Sequence, residues 1–216
     1  MWSEITARKQ AEAQIRMLSM AVEQSPNIVL ITDLEANTVY VNDAFTRITG
    51  YSRDEMLGCN PRILKSGKTP PATYDAMWAA LTAGKAWTGE LINRTREGGE
   101  QVQATTIVPI RGEDGKVCQY VAVKEDVTAQ RRQEDQLRKL SLAVDQSPES
   151  IVITNLDARI EYVNQAFIRN TGYSREEAIG ANPRVLQSGH TPLATYQDMW
   201  ATLTRGQAWR GELYNA

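Results

Sequence analysis

The 216-residue sequence predicts an α+β chain made of one domain followed by a second copy of it. The first observation behind this is self-similarity. Leu18-Ser19-Met20-Ala21-Val22-Glu23-Gln24-Ser25-Pro26 returns as Leu140-Ser141-Leu142-Ala143-Val144-Asp145-Gln146-Ser147-Pro148, an offset of 122 residues that holds without a gap to Asn93 and Asn215. Solenoid units repeat at roughly 20–50 residues, so a period of this length is a whole domain. The second observation is the element order within a copy: two strands, several short helices, three strands. That order predicts a five-stranded antiparallel sheet with its helices on one face and a cavity between the layers. The expected organisation is an N-terminal helix over 1–17, a first domain over 18–128, an amphipathic linker helix over 129–139 and a second domain over 140–216. The second domain has no counterpart of Thr95–Val127 and is expected to be truncated at its C-terminus.

Each element has a local reason. Ile15, Leu18 and Val22 are spaced by three and four among Gln, Arg and Lys, as are Leu137, Leu140 and Val144, which predicts an amphipathic helix leading into each copy. Such a helix either packs on its own domain or pairs with another subunit in a short coiled coil. Ile28–Thr32 and Val39–Val41, separated by turn-forming residues, read as a hairpin. Asn42 caps a short helix carrying Ala44, Phe45 and Ile48, and Gly50 ends it. Ser52 with Glu55 is a capping box, closed by Gly58. Thr69-Pro70 opens a longer helix through Tyr74, Met77, Trp78 and Leu81 to Gly84. Strands are then expected over 86–95, 100–110 and 116–127, joined by Glu97-Gly98-Gly99 and Gly112-Glu113-Asp114-Gly115.

Composition excludes several function classes. Lys+Arg 24 against Asp+Glu 26 leaves no single-sign field for nucleic acid or an anionic membrane. No apolar run reaches the ~18 residues of a spanning helix, and the N-terminus does not read as a signal peptide. Two cysteines, Cys59 and Cys118, make no disulfide framework and suit a reducing cytoplasm, the expected location. The single histidine, His190, excludes a multi-histidine metal site, and no metal is expected. No nucleophile–base pair or phosphate-binding glycine loop is present, so a sensory rather than catalytic role is expected.

Asp33-Leu34, Tyr40-Val41-Asn42, Ala44-Phe45, Thr49-Gly50-Tyr51-Ser52, Glu55, Gly58 and the closing Asp126-Val127-Thr128 resemble a PAS sensory domain, with the second copy repeating most of the string. A more specific stretch runs from Asn60-Pro61-Arg62-Ile63-Leu64-Lys65-Ser66-Gly67-Lys68-Thr69-Pro70 through Tyr74, Met77-Trp78 and Trp87 to Gly89-Glu90-Leu91 and Asn93-Arg94. It is similar to the FAD-binding redox-sensing PAS domains of the NifL and MmoS type, and the tandem arrangement matches MmoS. The resemblance implies non-covalent FAD in the first domain, with Trp78 and Asn93 as flavin contacts. It also implies a histidine-kinase-type output outside this sequence. Where that family has a glutamate after the loop asparagine, this sequence has Pro61.

The residues allow that chemistry. Trp87, Gly89, Leu91 and Asn93 share one strand face by alternation. A flavin ring needs an apolar slot with a few polar groups on its edge, and a set of Ile31, Asn60, Arg62, Tyr74, Trp78, Trp87, Leu91 and Asn93 would supply it. A side-chain amide both donates and accepts, so Asn93 could meet flavin N5 as an acceptor and, after reduction, as a donor. Asn93 is otherwise a satisfied polar residue at a strand end, Trp78 a core residue, and Asn60 a turn residue. Arg62, Lys65 and Lys68 are either solvated loop charges or partners of the pyrophosphate.

Blue-light PAS domains place a reactive cysteine where Pro61 and Pro183 stand, so no photochemical adduct is expected. Haem sensing lacks an axial histidine in the first copy. A ligand-free pair acting as a dimerisation relay stays open. Asn182, Trp200 and Asn215 form a second candidate site, expected to be empty or weaker. There Asn170 replaces Ile48, and a buried unsatisfied amide costs about 1–3 kcal/mol. Gln187 and His190 also replace Lys65 and Lys68.

Overall fold

The computed structural model describes the backbone of residues 2–216 and side chains from residue 8 onward. It contains two compact units, residues 1–133 and 134–216. The first opens with α1 (Trp2–Glu23), which carries the expected Ile15, Leu18 and Val22 and so runs past residue 17, where the first domain was set to begin. The three-and-four apolar spacing continues through Leu18 and Val22, and no helix breaker intervenes before Ser25-Pro26. β1 (Ile28–Thr32) and β2 (Thr38–Val41) form the expected hairpin. α2 (Asp43–Thr49) is capped by the Asn42 side chain, which accepts from Phe45 N, and ends at Gly50, whose φ of 79° is left-handed. α3 (Arg53–Met56) carries the complete Ser52–Glu55 capping box. A 3₁₀ turn, Pro61–Leu64, follows where a plain loop was expected, then α4 (Pro71–Thr82).

Three strands complete the unit: β3 (Trp87–Arg94), β4 (Glu100–Arg111) and β5 (Val117–Asp126). The sheet order is β2-β1-β5-β4-β3, and every neighbouring pair is antiparallel. The last strand therefore fills the centre, hydrogen-bonded to β1 on one side and β4 on the other. Ile28, Leu30, Val41, Phe45, Met56, Leu64 and Ala122 pack the main core. A second cluster, Met77, Leu81 and Tyr120, seats α4 against the sheet.

Both ends of the domain are tied to helices. At the entry, Glu23 of α1 accepts hydrogen bonds from the Tyr40 hydroxyl (2.8 Å), Asp43 N (3.1 Å) and Arg53 Nη2 (2.9 Å). Burial opposes ionisation of Glu23. Tyr40, the Arg53 guanidinium and Asp43 N–H outweigh it and hold the carboxyl below its usual range. Burial, with the Glu23 carboxylate beside it, pushes the Tyr40 phenol up to about 12. At the exit, Val127 N donates to Val102 O, Val102 N donates to Thr128 Oγ1 and Thr128 N donates to Asp126 Oδ1. The closing Asp-Val-Thr triplet thus clips β4 to the start of the next helix.

That helix, α5 (Thr128–Asp145), carries the expected Leu137, Leu140 and Val144 and so runs on past residue 139, where the linker was divided from the second domain. Beyond it lie β6 (Val152–Thr154), β7 (Ile160–Val163), α6 (Gln165–Thr171), α7 (Arg175–Ala178) and α8 (Leu193–Leu203). Caps recur residue for residue: Asn164 accepts from Phe167 N, and Ser174 with Glu177 forms a capping box. The entry joint recurs with Asp145 accepting from Tyr162 and Arg175. The five-stranded sheet expected of each copy forms in the first unit only; the second holds the two-stranded β6-β7 sheet. Residues 209–215 match β3, but counterparts of its β4 partners Gln101–Ile107 are not among the 216 residues, so no ladder forms. A single bridge, Gln187 to Asn215, repeats the Lys65–Asn93 bridge of the first unit.

Candidate functional site

Between the helices and the sheet of the first unit lies a cavity of about 270 Å³. Its walls are mostly apolar: Leu30 from β1, Met77 and Leu81 from α4, Leu91 from β3, Ile107 from β4 and Ala122 from β5. Alternation explains the sheet contribution. Leu91 and Asn93 are buried on β3 while Glu90 and Arg94 are exposed, as expected for the inward face. The loop after the 3₁₀ turn is fastened to β3, which gives the cavity a fixed side. Ser66 Oγ donates to Ile92 O, Ile92 N donates to Thr69 Oγ1 at 2.8 Å, and Lys65 bridges to Asn93.

Six of the eight anticipated residues line this cavity together: Asn60, Arg62, Tyr74, Trp78, Leu91 and Asn93. Trp78 is 39% exposed, so it is no core residue; its ring meets Tyr120 edge-on with centroids 6.2 Å apart. Asn60 is a turn residue, its Oδ1 accepting from Arg62 N to cap the 3₁₀ turn, and it also lines the cavity. Lys65 also lines it, with its ammonium 3.8 Å from the Tyr74 ring centroid.

Two anticipated residues do not line it. Ile31 lies on the opposite sheet face from Leu30 and Thr32, which do. Trp87 packs beside the Met77–Leu81–Tyr120 cluster, and its ring lies over Gly89, where an added Cβ would come within 2.5 Å of it. Trp87 therefore supports the wall from behind. Lys68 is turned away as well, paired with Glu100 at 2.7 Å.

Asn93 is 4% exposed, and its Nδ2 donates to Oε1 of the fully buried Gln103 at 2.8 Å. Gln103 Nε2 donates to Gln101 Oε1, and Gln101 Nε2 donates to Ile48 O at the far end of α2. The amide chain links the cavity edge to the helix layer. Sequence reasoning missed Gln103, and also Tyr120 and Lys124 of β5. Tyr120, Ala122 and Lys124 are spaced by two, a period that places them on one face.

In the second unit, Asn170 is exposed and its Nδ2 donates to Ser150 Oγ at 3.0 Å. The amide thus has its partner at the surface and bears no burial cost, so Asn170 is no argument against an apolar slot in the second unit. Asn182 caps its 3₁₀ turn as Asn60 does, Trp200 is exposed and Asn215 holds the single bridge.

The PAS domain family model matches residues 26–129 and 148–216. The chain belongs to the PAS family. Among PAS-containing relatives, it is 33% identical over 150 residues to the Nitrogen fixation regulatory protein of Klebsiella oxytoca, covering 68% of this chain and 30% of that protein. It is 29% identical over 132 residues to Blue-light-activated histidine kinase 1 of Erythrobacter litoralis, covering 58% and 37%. The solved structure of an RNA-binding Light-Oxygen-Voltage receptor matches with a TM-score of 0.54 and 29% identity, over 60% of this chain and 38% of that one. These likenesses support a PAS domain of the NifL type and are consistent with a signal-sensing module. The chain spans about a third of the length of the curated relatives it matches. No helix among the described residues is long and apolar enough to cross a membrane.

The PAS cavity fits a flavin ring. Small-molecule pockets run from ~300 Å³ upward and pair apolar walls with a few placed polar groups. At about 270 Å³ this one is close to the lower end of that range, and its mostly apolar walls with the Asn60 and Asn93 amides are the lining such a ring needs. Arg62 and Lys65 are cations on its lining available to a phosphate.

Proposed function

We propose that the first PAS domain is a redox sensor that holds FAD without a covalent bond. In this reading the chain is a tandem sensor of the MmoS arrangement, and its output is a histidine-kinase-type regulator beyond these residues. The observation that carries it is the buried Asn93 amide at the edge of an apolar cavity, hydrogen-bonded to a second amide rather than to fixed backbone. FAD, when bound, supplies reversible electron uptake with a ring nitrogen that accepts a hydrogen bond when oxidised and donates one when reduced.

The protein's part is to register that exchange. With Nδ2 on Gln103, Asn93 keeps its Oδ1 and second N–H for the cavity. Rotating the amide by a half-turn exchanges donor for acceptor and takes the hydrogen bond away from Gln103, whose own partner is Gln101. The change is thereby passed along β4 toward α2. β3 has a second outlet: Glu90, on the face opposite Asn93, pairs with Arg131 near the start of α5. A redox-dependent shift of β3 bears directly on the helix leaving the domain, a two-state bias rather than a rigid signal. No group in the cavity is assigned a catalytic role.

Self-association through α1 and α5 belongs to the same reading. α1 exposes Ile15, Leu18 and Met20, and α5 exposes Leu137, Leu140 and Leu142. That feature equally favours the second reading, a ligand-free PAS pair used as a dimerisation relay. One experiment separates them. Protein purified without added cofactor should absorb in the blue, release FAD on denaturation, bleach with dithionite and recover in air. Colourless protein that cannot be reconstituted with FAD leaves the relay.

A further inference from the structure

Lys124 sits in the central strand of the sheet with 5% of its surface exposed, and it lines the cavity. No hydrogen bond or ion pair joins its side chain to any described residue, and since no fully buried side-chain nitrogen among the described residues lacks a partner, its ammonium keeps some accessible surface. Its cross-strand neighbours are Ile28 on β1 and Thr105 on β4. Placing an ammonium there has a real cost, because a buried charge without a partner forfeits its hydration. Burial draws its pKa down to about 8, so the group still carries its proton at neutral pH.

The rest of the cavity does not supply the missing charge. The charged and titratable groups facing Lys124 are Arg62 and Lys65 from the turn, Tyr74 from α4 and Tyr120 from its own strand. β1 presents Leu30 and Thr32, β3 presents Leu91 and Asn93, and β4 presents Ile107. Among the described lining residues there are three cations and no carboxylate. A lysine that no described residue neutralises, opening on an apolar cavity, is a charge waiting for its ligand.

We propose that Lys124 is the counter-charge of the cavity's ligand: it selects a flat ring bearing a negative charge on the edge that meets β5. This rests on the FAD reading above where the ring is flavin, and there the selected form is the reduced anion. Two electrons and one proton from a small-molecule reductant leave the ring with one negative charge. The ammonium answers that charge, so a second proton is not needed. Lys124 is a positioning residue for charge: it neither gives up its proton nor forms a bond.

The test compares FAD-loaded wild type with Lys124→Met, and with Lys124→Gln as a second variant should the first fail to fold. The readout is the flavin midpoint potential, equilibrated against a reference dye between pH 6 and 8 with dithionite as reductant. Wild type should take up one proton per two electrons at neutral pH, and the variants two. The variants should lose at least tenfold of the preference for reduced over oxidised flavin, which is a fall of about 30 mV. Unchanged potential and proton count overturn the proposal. If the protein holds no flavin, the FAD reading fails separately and the charge selection is tested by calorimetry with 2-naphthoate and 2-naphthamide. Tenfold preference for the carboxylate that disappears in Lys124→Met supports the proposal. No preference, including no binding of either, overturns it.

Discussion

Asn93 and Gln103, buried on adjacent strands, share a hydrogen bond between two side-chain amides, Asn93 Nδ2 donating to Gln103 Oε1. Each amide has a further partner or an open position toward the cavity, so this pair can change its hydrogen bonds without unfolding anything. Asn93→Ala should strip the Gln103 carbonyl of its donor, destabilising the domain by about 1–3 kcal/mol and abolishing FAD retention. Asn93→Ala combined with Gln103→Leu should recover much of the stability but none of the flavin. Denaturant melts and flavin stoichiometry on the four proteins of this cycle decide it; additive stabilities would show that the two amides are not coupled.

Lys124 makes a prediction about alkaline stability. Its folded pKa, about 8, lies below the ordinary 10.5, so between those values the unfolded chain binds more protons than the folded one. Stability contributed by this group therefore rises with pH across that window, and the penalty is fully present below pH 8. Lys124→Met should raise stability of the flavin-free protein at neutral pH by on the order of 3 kcal/mol and remove the alkaline rise. Urea melts at pH 7, 8.5 and 9.5 measure both.

Glu23 makes the opposite prediction in acid. Its carboxyl is held below the usual range, so the stability it contributes is present above the unfolded value and lost as pH falls through the folded one. Glu23→Gln should flatten that part of the acid transition. The same variant should bring the Tyr40 phenol, now at about 12, partway toward 10, since the carboxylate is one cause and burial the larger one. Carbon NMR of labelled tyrosine follows it directly; an unmoved Tyr40 would show that the joint is not electrostatic.

Illumination should leave the flavin spectrum without a long-lived adduct. Pro61 follows Asn60 in the turn, and Cys59, on its other side, has an exposed side chain and is not among the cavity residues. A light-induced bleaching that reverses in the dark would contradict this, and Cys59→Ser would identify the thiol responsible.

Much of this fold is written locally. The Asn42 cap, the Ser52–Glu55 box and the left-handed glycines are decided within a few residues, so helices and turns stand close to where spacing and capping put them. Strand order is not local: nothing in Val117–Asp126 announces that it will lie between β1 and β4. Leu91 and Asn93 were legible because β3 alternates between inward and charged outward positions, whereas Asn60, Arg62, Tyr74 and Trp78 rested on the resemblance carried by the Asn60–Asn93 stretch. Ile31 was not, since Ile28-Val29-Leu30-Ile31 is apolar on both faces and alternation cannot choose one. Lys124 and Gln103 were missed because a charge or an amide at an inward position reads, by pattern alone, as an outward one. The counterpart of Ile48 misled in the opposite sense: Asn170, read as inward by analogy with Ile48, lies at the surface and meets Ser150.

The two entry joints differ by one methylene. Glu23 takes hydrogen bonds at 2.8 Å from Tyr40, 3.1 Å from Asp43 N and 2.9 Å from Arg53, whereas Asp145 manages 3.2 Å to both Tyr162 and Arg175. The longer Glu23 side chain reaches a third donor, Asp43 N, that has no counterpart among the bonds of Asp145. Each of these carboxylates fastens the last turn of a helix to the domain that follows it. The first fastening is the more completely bonded, so losing the carboxylate should cost the first domain more hydrogen bonds than the second.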